Sequence, residues 1–469
     1  MVHIIGVISK YLILFFMAFY TIKCFSYFTA RTKGRREDNL NVQVVCIFLI
    51  HFLCHVCLFL NTRDRLVVGI FIIEVAVAVL YLILFHAAYP DASRLITNNV
   101  IFLMLIGFTM LLRLNPSTVL RHLVLCSGAL FLTSFLPWLM GRMKRMDRWT
   151  AFYGITGFLA LATVFIPGIG ISKYGARNWI ALGPISLQPM EFVKILFILF
   201  IASGLVKLRT LGGLVLNALE AAAFMMILVA ESDFGAVVLF YLCYIMMVYL
   251  ATSRPIFLIG GLLLAVGAGV LGFTVFRETL FSHVMVRVTA WRDPESVATT
   301  GGYQIMQSLF AIGSGGMAGT GLGNGNPASV PVVESDFIFA AICEEMGVIF
   351  GLALILVYVS SFLAMANIAM KCRKPFYKYM TFGMAVVYIF QVFLNIGGTV
   401  KFIPSTGVTL PLVSYGFSSV FSTLIMFSMV QFTYIFVVKE AEDIEKQKEE
   451  ILERTGESGA AGVPEVGRG

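Results

Sequence analysis

Apolar runs close to twenty residues long recur from one end of this chain to the other. A helix needs roughly 20 apolar residues to cross a hydrocarbon core of about 30 Å. With 59% hydrophobic and 13% charged residues and a mean hydropathy of +0.90, the chain reads as an all-α polytopic membrane protein. A soluble domain with a large core does not fit, and a transmembrane barrel would need short strands of alternating polarity. The net charge of +8 does not point to nucleic acid, because the charges fall in short loops between apolar runs. The eight cysteines lie almost entirely inside those runs and imply no disulfide scaffold. The first run, residues 4–28, is too long for the apolar part of a signal peptide, and its basic cluster follows it instead of preceding it.

The pattern predicts about thirteen spans. Three form an extra N-terminal group within residues 1–90: 4–28, 42–61 and 66–86. Ten form a core within 91–438: 97–113, 118–140, 149–167, 190–206, 212–231, 234–251, 255–276, 336–366, 377–400 and 411–438. A charged tail, 439–469, is expected to extend the last helix to about Arg454 and to be disordered from 455. Alternate loops hold Arg31, Lys33, Arg35 and Arg36, then Arg142, Lys144, Arg145 and Arg148, then Lys207 and Arg209, then Lys371, Arg373, Lys374 and Lys378. The positive-inside rule makes these loops and the C-terminus cytoplasmic. Met1 and the loops 168–189 and 277–335 are then expected outside.

Within this apolar chain, Glu334, Asp336, Glu344 and Glu345 crowd one short stretch. An ionised carboxylate at the centre of a bilayer costs roughly 2.5–3.5 kcal/mol on insertion scales, so such groups are paired, wetted or used. If the stretch is one helix, Asp336 and Glu344 are eight residues apart. That is roughly 12 Å along the axis and about 80° around it, a poor match to two carboxylates gripping one glycosidic bond, about 5–9.5 Å apart. Asp336 therefore reads as a lone general base at the aqueous end, with Glu344 and Glu345 as deeper partners of cations.

Other segments expected on the outer side carry unusual residues. Residues 313–325 contain seven glycines, which suit either a tightly turning loop or a backbone surface that approaches a sugar or pyrophosphate. In Gly175-Ala-Arg-Asn-Trp…Gln-Pro-Met-Glu-Phe-Val-Lys194, Pro189 suits a helix start. Glu191 and Lys194 share a helical face there, either neutralising each other or serving a ligand. Trp179 suits an interfacial anchor. Gly397 to Ser419 breaks the apolar pattern with Pro404 and Pro411, and broken backbone at membrane depth is buried in protein or lines a wet cavity. Lys401 there either snorkels outward or binds an anion. Asp233 suits a cap of the turn between two spans. His51, Cys54 and His55 share one helical face that suits a metal or polar contacts with neighbouring helices. Glu74 and Glu220 are further acids within spans.

These residues resemble the SEDS family (shape, elongation, division and sporulation) over roughly residues 97–438. Gly175…Lys194 is similar to G-x-R-x-W-I…Q-P-S-E-x-x-K, and Glu231-Ser-Asp-Phe-Gly235 to Q-P-D-x-G. Ser335-Asp-Phe-Ile-Phe-Ala…Glu-Glu-Met-Gly347 resembles T-D-F-I-F-A…E-E-L-G, and Pro404…Ser419 resembles P-x-x-G…L-P-x-I-S-Y-G-G-S-S. Gly302-Tyr-Gln through Gly325 is similar to the family's large outer loop. The departures are Met190 for Ser, Glu231-Ser for Gln-Pro, Phe417 for Gly, and Thr406 where many division-type members carry Lys.

The resemblance implies a peptidoglycan glycosyltransferase that polymerises lipid II at the outer face of the cytoplasmic membrane with a class B penicillin-binding transpeptidase, among other divisome or elongasome membrane proteins. The family's essential loop aspartate falls on Asp336. Arg177, Trp179, Gln188, Glu191, Lys194, Lys401 and Ser414 are the expected substrate-binding residues, with Asp233, Glu344 and Glu345 as charge partners. A divalent cation such as Mg or Mn would suit the pyrophosphate, but no metal-ligand cluster identifies one. A lipid II flippase and a non-catalytic scaffold of the division or elongation complex are the rival readings.

Overall fold

The computed structural model describes residues 2–173, 176–183, 185–208, 210–275, 282–297 and 301–460. Three helices come first: α1 (Val2–Thr29), α2 (Lys33–Thr62) and α3 (Arg65–Ala88). Then follow α4 (Arg94–Leu114), α5 (Pro116–Thr133), its short continuation α6 (Leu136–Arg142) and α7 (Thr150–Ala162). A small antiparallel sheet, β1 (Gly170–Lys173), β2 (Ala176–Leu182) and β3 (Ile185–Leu187), leads into α8 (Pro189–Lys207), α9 (Leu211–Ala230), α10 (Phe234–Thr252) and α11 (Pro255–Val275). The remainder is α12 (Ser282–Arg292), α13 (Gly301–Gly315), α14 (Ile338–Met346), α15 (Val348–Lys371), α16 (Pro375–Thr399) and α17 (Phe417–Ala460).

Among the described residues, twelve helical stretches are long and apolar enough to cross a membrane. The shorter apolar stretch Thr150–Phe165 stands where a further span was expected. The chain is an all-α polytopic membrane protein. Its helix starts follow from local chemistry. Pro116, Pro189 and Pro375 occupy first turns, where a missing N–H costs nothing. Thr32, Asp64, Thr210 and Asp233 accept backbone N–H groups as N-caps, satisfying donors that the helix itself leaves free.

The bundle is organised around α4, whose apolar window is 100% buried, whereas that of α11 is 6% buried. Lipid offers no hydrophobic drive to helix association, so close packing and buried polar contacts hold such a bundle together. Tyr20 donates to Asn99 Oδ1 (2.7 Å), and Asn99 Nδ2 donates to Ser361 Oγ (2.9 Å), joining α1, α4 and α15. Gln431 of α17 exchanges hydrogen bonds with the Ser93 backbone at the head of α4, 2.8 and 2.9 Å.

Four expectations change. The span expected at 336–366 is broken into α14 and α15 at Gly347, with φ 92° and ψ 160°. A Cβ on Gly347 would lie 2.5 Å from the Gly319 nitrogen, so only glycine lets the 313–325 loop reach this break. Asp336 consequently lies ahead of the helix, and the single-helix spacing between Asp336 and Glu344 does not apply. The segment 168–189, expected as an outer loop, carries a three-stranded sheet, with Ile171 opposite Trp179 and Ile180 opposite Leu187. The segment 277–335, expected as an outer loop, carries α12 and α13, while 277–281 and 298–300 lie outside the described residues. Finally, α17 runs to Ala460, past the expected helix end at Arg454; residues 461–469 lie outside the described residues.

Candidate functional site

Asp336 is held by its backbone. Its carbonyl accepts from Asn395 Nδ2 (3.0 Å) and Thr399 Oγ1 (3.3 Å), both on α16. Asn395 Nδ2 also donates to the Val408 carbonyl at 2.8 Å. The Ser414 hydroxyl donates to the Ser335 carbonyl, and the Tyr415 N–H to the Glu334 carbonyl at 2.7 Å. The acidic stretch is thus stitched to α16 and to the broken segment before α17. Its backbone groups are spent on these bonds, which leaves the Asp336 carboxylate as the variable group.

Asp336 is half-buried and lines a narrow pocket with Asn395, Thr399, Thr406 and Gly407. Gly407 adopts φ +73°, and a Cβ there would lie 3.8 Å from Asp336 Oδ2 and 3.5 Å from Arg287 Nη2. Arg287, on α12, donates to the Thr406 carbonyl at 2.9 Å. Trp291, one turn later, donates its indole N–H to the Lys401 carbonyl at 3.1 Å. Burial raises the Asp336 carboxyl above its ordinary range; the Ser335 hydroxyl and the Arg287 charge pull it back without cancelling the rise.

The same guanidinium faces Asp233. Asp233 caps α10 through Ala236 N–H (3.1 Å), and its other oxygen accepts from Asn178 Nδ2 (2.7 Å) and Gln188 Nε2 (3.3 Å). Burial raises the Asp233 carboxyl as well. Next to it, buried Glu231 is pushed up to about 8, first by burial and then by the Asp233 charge. The Thr406–Gly407 turn packs between Asp336 and α10: a Cβ on Gly235 of α10 would meet the Thr406 carbonyl at 2.8 Å.

The other expected site residues separate into groups. Glu191 and Lys194 are buried against each other in a salt bridge. Lys194 also donates to Gln391 Oε1 (2.9 Å), and Ser422 donates to Glu191 Oε2 (2.8 Å). This network ties α8, α16 and α17 together, and the Lys194 ammonium is turned inward. The Ser414 hydroxyl is likewise occupied inside the protein. Arg177 is exposed, with its guanidinium 3.5 Å from the Phe165 carbonyl and its N–H bonded to the Glu231 carbonyl at 3.1 Å. Trp179 is half-buried on β2, and Gln188 links β3 to Asp233. Lys401 sits at φ +60° where α16 ends. Gly175, which opens the first motif, lies outside the described residues.

Glu344 and Glu345 hold the glycine-rich loop. Glu345 pairs with Arg113 of α4 (2.9 Å) and accepts from Gly323 N–H (3.1 Å). Glu344 accepts from Asn326 N–H at 2.8 Å. The Thr320 and Gly321 N–H groups are spent on the Glu344 and Glu345 carbonyls, each 2.9 Å. Of the two readings of the loop, the packed turn is the one present.

Sequence reasoning missed Arg287, Asn395, Thr399 and Arg113. Arg287 and Arg113 carried a signal, each being a lone cation at the edge of an apolar stretch. Asn395 and Thr399 are i and i+4 on one helix and carried none beyond polarity.

The fold and this cluster of charge define a polytopic helical membrane protein with a half-buried acid–arginine site at one end of its bundle. The chain belongs to the FtsW/RodA/SpoVE family of cell cycle proteins, whose model matches residues 94–434. It is 36% identical over 303 residues to the peptidoglycan glycosyltransferase RodA of Mycobacterium leprae, covering 61% of this chain and 63% of that protein. It is 33% identical over 314 residues to a probable peptidoglycan glycosyltransferase FtsW of Coxiella burnetii, covering 64% and 82%. The chain thus spans a little under two thirds of the mycobacterial relative's length. Among solved structures it resembles one described as a peptidoglycan synthase complex coordinating polymerization and crosslinking (TM-score 0.62, 24% identity, 74% of this chain and 98% of that one). It also resembles the rod shape determining protein RodA of Thermus thermophilus (TM-score 0.54, 24% identity, 74% and 98%). Residues 1–93 precede the family match.

Proposed function

We propose that this protein is a peptidoglycan glycosyltransferase that polymerises lipid II at the outer face of the cytoplasmic membrane, with Asp336 as general base. The observation that carries this reading is the Asp336 carboxylate, raised by burial and set beside Arg287 in a pocket whose walls are hydrogen-bonded in place. A raised carboxylate is a stronger base, and a positioned base contributes typically 10²–10⁴-fold. Asp336 takes the proton of the acceptor sugar 4-hydroxyl. The freed oxygen forms a bond to the donor anomeric carbon from the opposite face. The bond from that carbon to the pyrophosphate breaks, and undecaprenyl pyrophosphate leaves with the electron pair. One base with no carboxylate nucleophile gives inversion. Arg287, which faces Asp336 and Asp233, offsets the negative charge that builds on the departing pyrophosphate. Arg177 and Lys401 are the further cations suited to the headgroup; Lys194 serves through the packing of α8.

The orientation belongs to the same proposal. The ammonium of Lys10, near the start of α1, donates to the Gly319 carbonyl at 3.1 Å, so the N-terminal end of α1 and the glycine-rich loop share one side. With basic loops inside, that side is the exterior and the end of α17 is cytoplasmic. A class B penicillin-binding transpeptidase is the partner of choice, since its crosslinking consumes the strand made here.

Lipid II polymerisation by the purified protein in detergent, with and without its transpeptidase, tests the reading. Wild type is expected to make glycan strands and Asp336→Asn to lose them. If Asp336→Asn polymerised at the wild-type rate, Asp336 would not be the base. If the protein moved labelled lipid II across vesicles without polymerising it, the flippase reading would replace this one.

A further inference from the structure

We propose that His51 and His55 of α2 and Glu74 of α3 form a binding site for a borderline divalent metal ion, with Zn²⁺ the best match, that clamps the N-terminal helices together. All three residues are buried, with exposures of 2%, 4% and 1%. His51 Nε2 lies 3.0 Å and His55 Nε2 3.2 Å from the same Glu74 oxygen. The three ligand atoms fall within 4.8 Å of one another. Around a tetrahedral ion with bonds of about 2.0–2.2 Å, neighbouring ligand atoms lie about 3.3 Å apart.

The far side of each ring fixes what its near side offers. His55 Nδ1 faces the His51 carbonyl at 3.0 Å, an atom that can only accept, so Nδ1 carries a proton. Thr109 gives its hydroxyl proton to the Leu105 carbonyl (2.8 Å), which leaves its oxygen to accept from His51 Nδ1 at 3.4 Å. Metal-bound histidines show this arrangement, with the outer nitrogen donating to a carbonyl or other acceptor. In the neutral rings both Nε2 lone pairs then point at one carboxylate oxygen, deep in an apolar bundle. Neither Nε2 nor either Glu74 oxygen makes a geometrically sound hydrogen bond. A single added proton would settle one contact and leave the other lone pair against the carboxylate. A divalent cation satisfies all three atoms at once, and Glu74 Oε1 is available for a second bond.

Phe71 packs on both imidazoles, with ring centroids at 5.4 and 5.2 Å, and keeps the donors dry. Among the described residues no fourth protein ligand completes the group, so water takes the remaining position. Cys54, which shares the helical face of the two histidines, is not part of the group; Glu74 takes that place. The clamp suits α3, whose apolar window is only 28% buried.

The test uses the full chain in detergent with its affinity tag removed. Elemental analysis after dialysis is expected to find about one ion per chain, as a single His₂Glu site would hold. After chelation, added Co²⁺ should give visible d–d absorption of tetrahedral type, which Zn²⁺ (filled d shell) should abolish by displacing it. Thr109→Val keeps every ligand and should weaken Co²⁺ binding about 10–100-fold; Glu74→Gln should abolish the absorption. Because Glu74→Gln alters a buried side chain on which folding can depend, the wild-type Co²⁺ titration decides alone. Wild-type protein that retains no stoichiometric metal and shows no tetrahedral Co²⁺ spectrum would overturn the proposal and leave the cluster a proton-bridged one.

Discussion

The Arg287 charge acts on two acids, Asp336 and Asp233, and its removal has a direction that can be stated in advance. It lowers the Asp336 carboxyl against the rise caused by burial. On the proposed general-base role, which needs an ionised carboxyl, polymerisation is expected to fall as pH drops through the folded value of Asp336. Arg287→Gln is expected to move that acid limb to higher pH as well as to slow the reaction, read from pH–rate profiles of lipid II polymerisation. Glu231 is a contrasting acid. Its carboxyl is raised from an ordinary 4.5 to about 8, so the folded state holds a proton that the unfolded chain releases. Its penalty on stability is absent below 4.5, grows as pH rises, and is complete above about 8. Glu231→Gln should therefore match wild type in acid and become progressively more heat-stable up to that pH, measured by melting in detergent across the range. The Arg113–Glu345 pair joins a fully buried carboxyl to a partly exposed guanidinium. Glu345→Gln is expected to cost about 1–3 kcal/mol, measured by melting in detergent.

Gly347 decides how one helical stretch becomes two. The apolar run through residues 336–366 reads as a single span, and nothing in its periodicity reveals a break. The break follows from a backbone angle that disfavours a side chain, and from contact with Gly319 at a distance no Cβ tolerates. Gly347→Ala is expected to destabilise the fold by about 1–3 kcal/mol and to unseat the 313–325 loop, visible as faster amide exchange there. The helices, by contrast, were readable. Their lengths, proline starts and polar caps are local properties, and most boundaries agree with the apolar runs. The sheet at 170–187 was not, because its short strands are built by pairing between segments rather than by pattern within one.

Residues 1–90 join the core at both depths of the bundle. Tyr20 and Asn99 bond in its interior, and Lys10 and Asn61 reach the glycine-rich loop through the Gly319 and Leu322 carbonyls, 3.1 and 2.8 Å. Removing the last two side chains together (Lys10→Met with Asn61→Ala) should raise amide exchange across 316–325 while leaving α16 unchanged, since each lost bond is worth about 1 kcal/mol. Apolar runs were enough to establish a many-helix membrane protein, and motif residues its family, because hydrophobic length and motifs are written along the chain. Which cation meets which acid was settled by packing. Lys194 turned inward to Glu191, Arg113 went to Glu345, and Arg287, which sequence reasoning missed, took the place beside Asp336. Charge partners come from different helices, and their distances exist only once those helices are assembled.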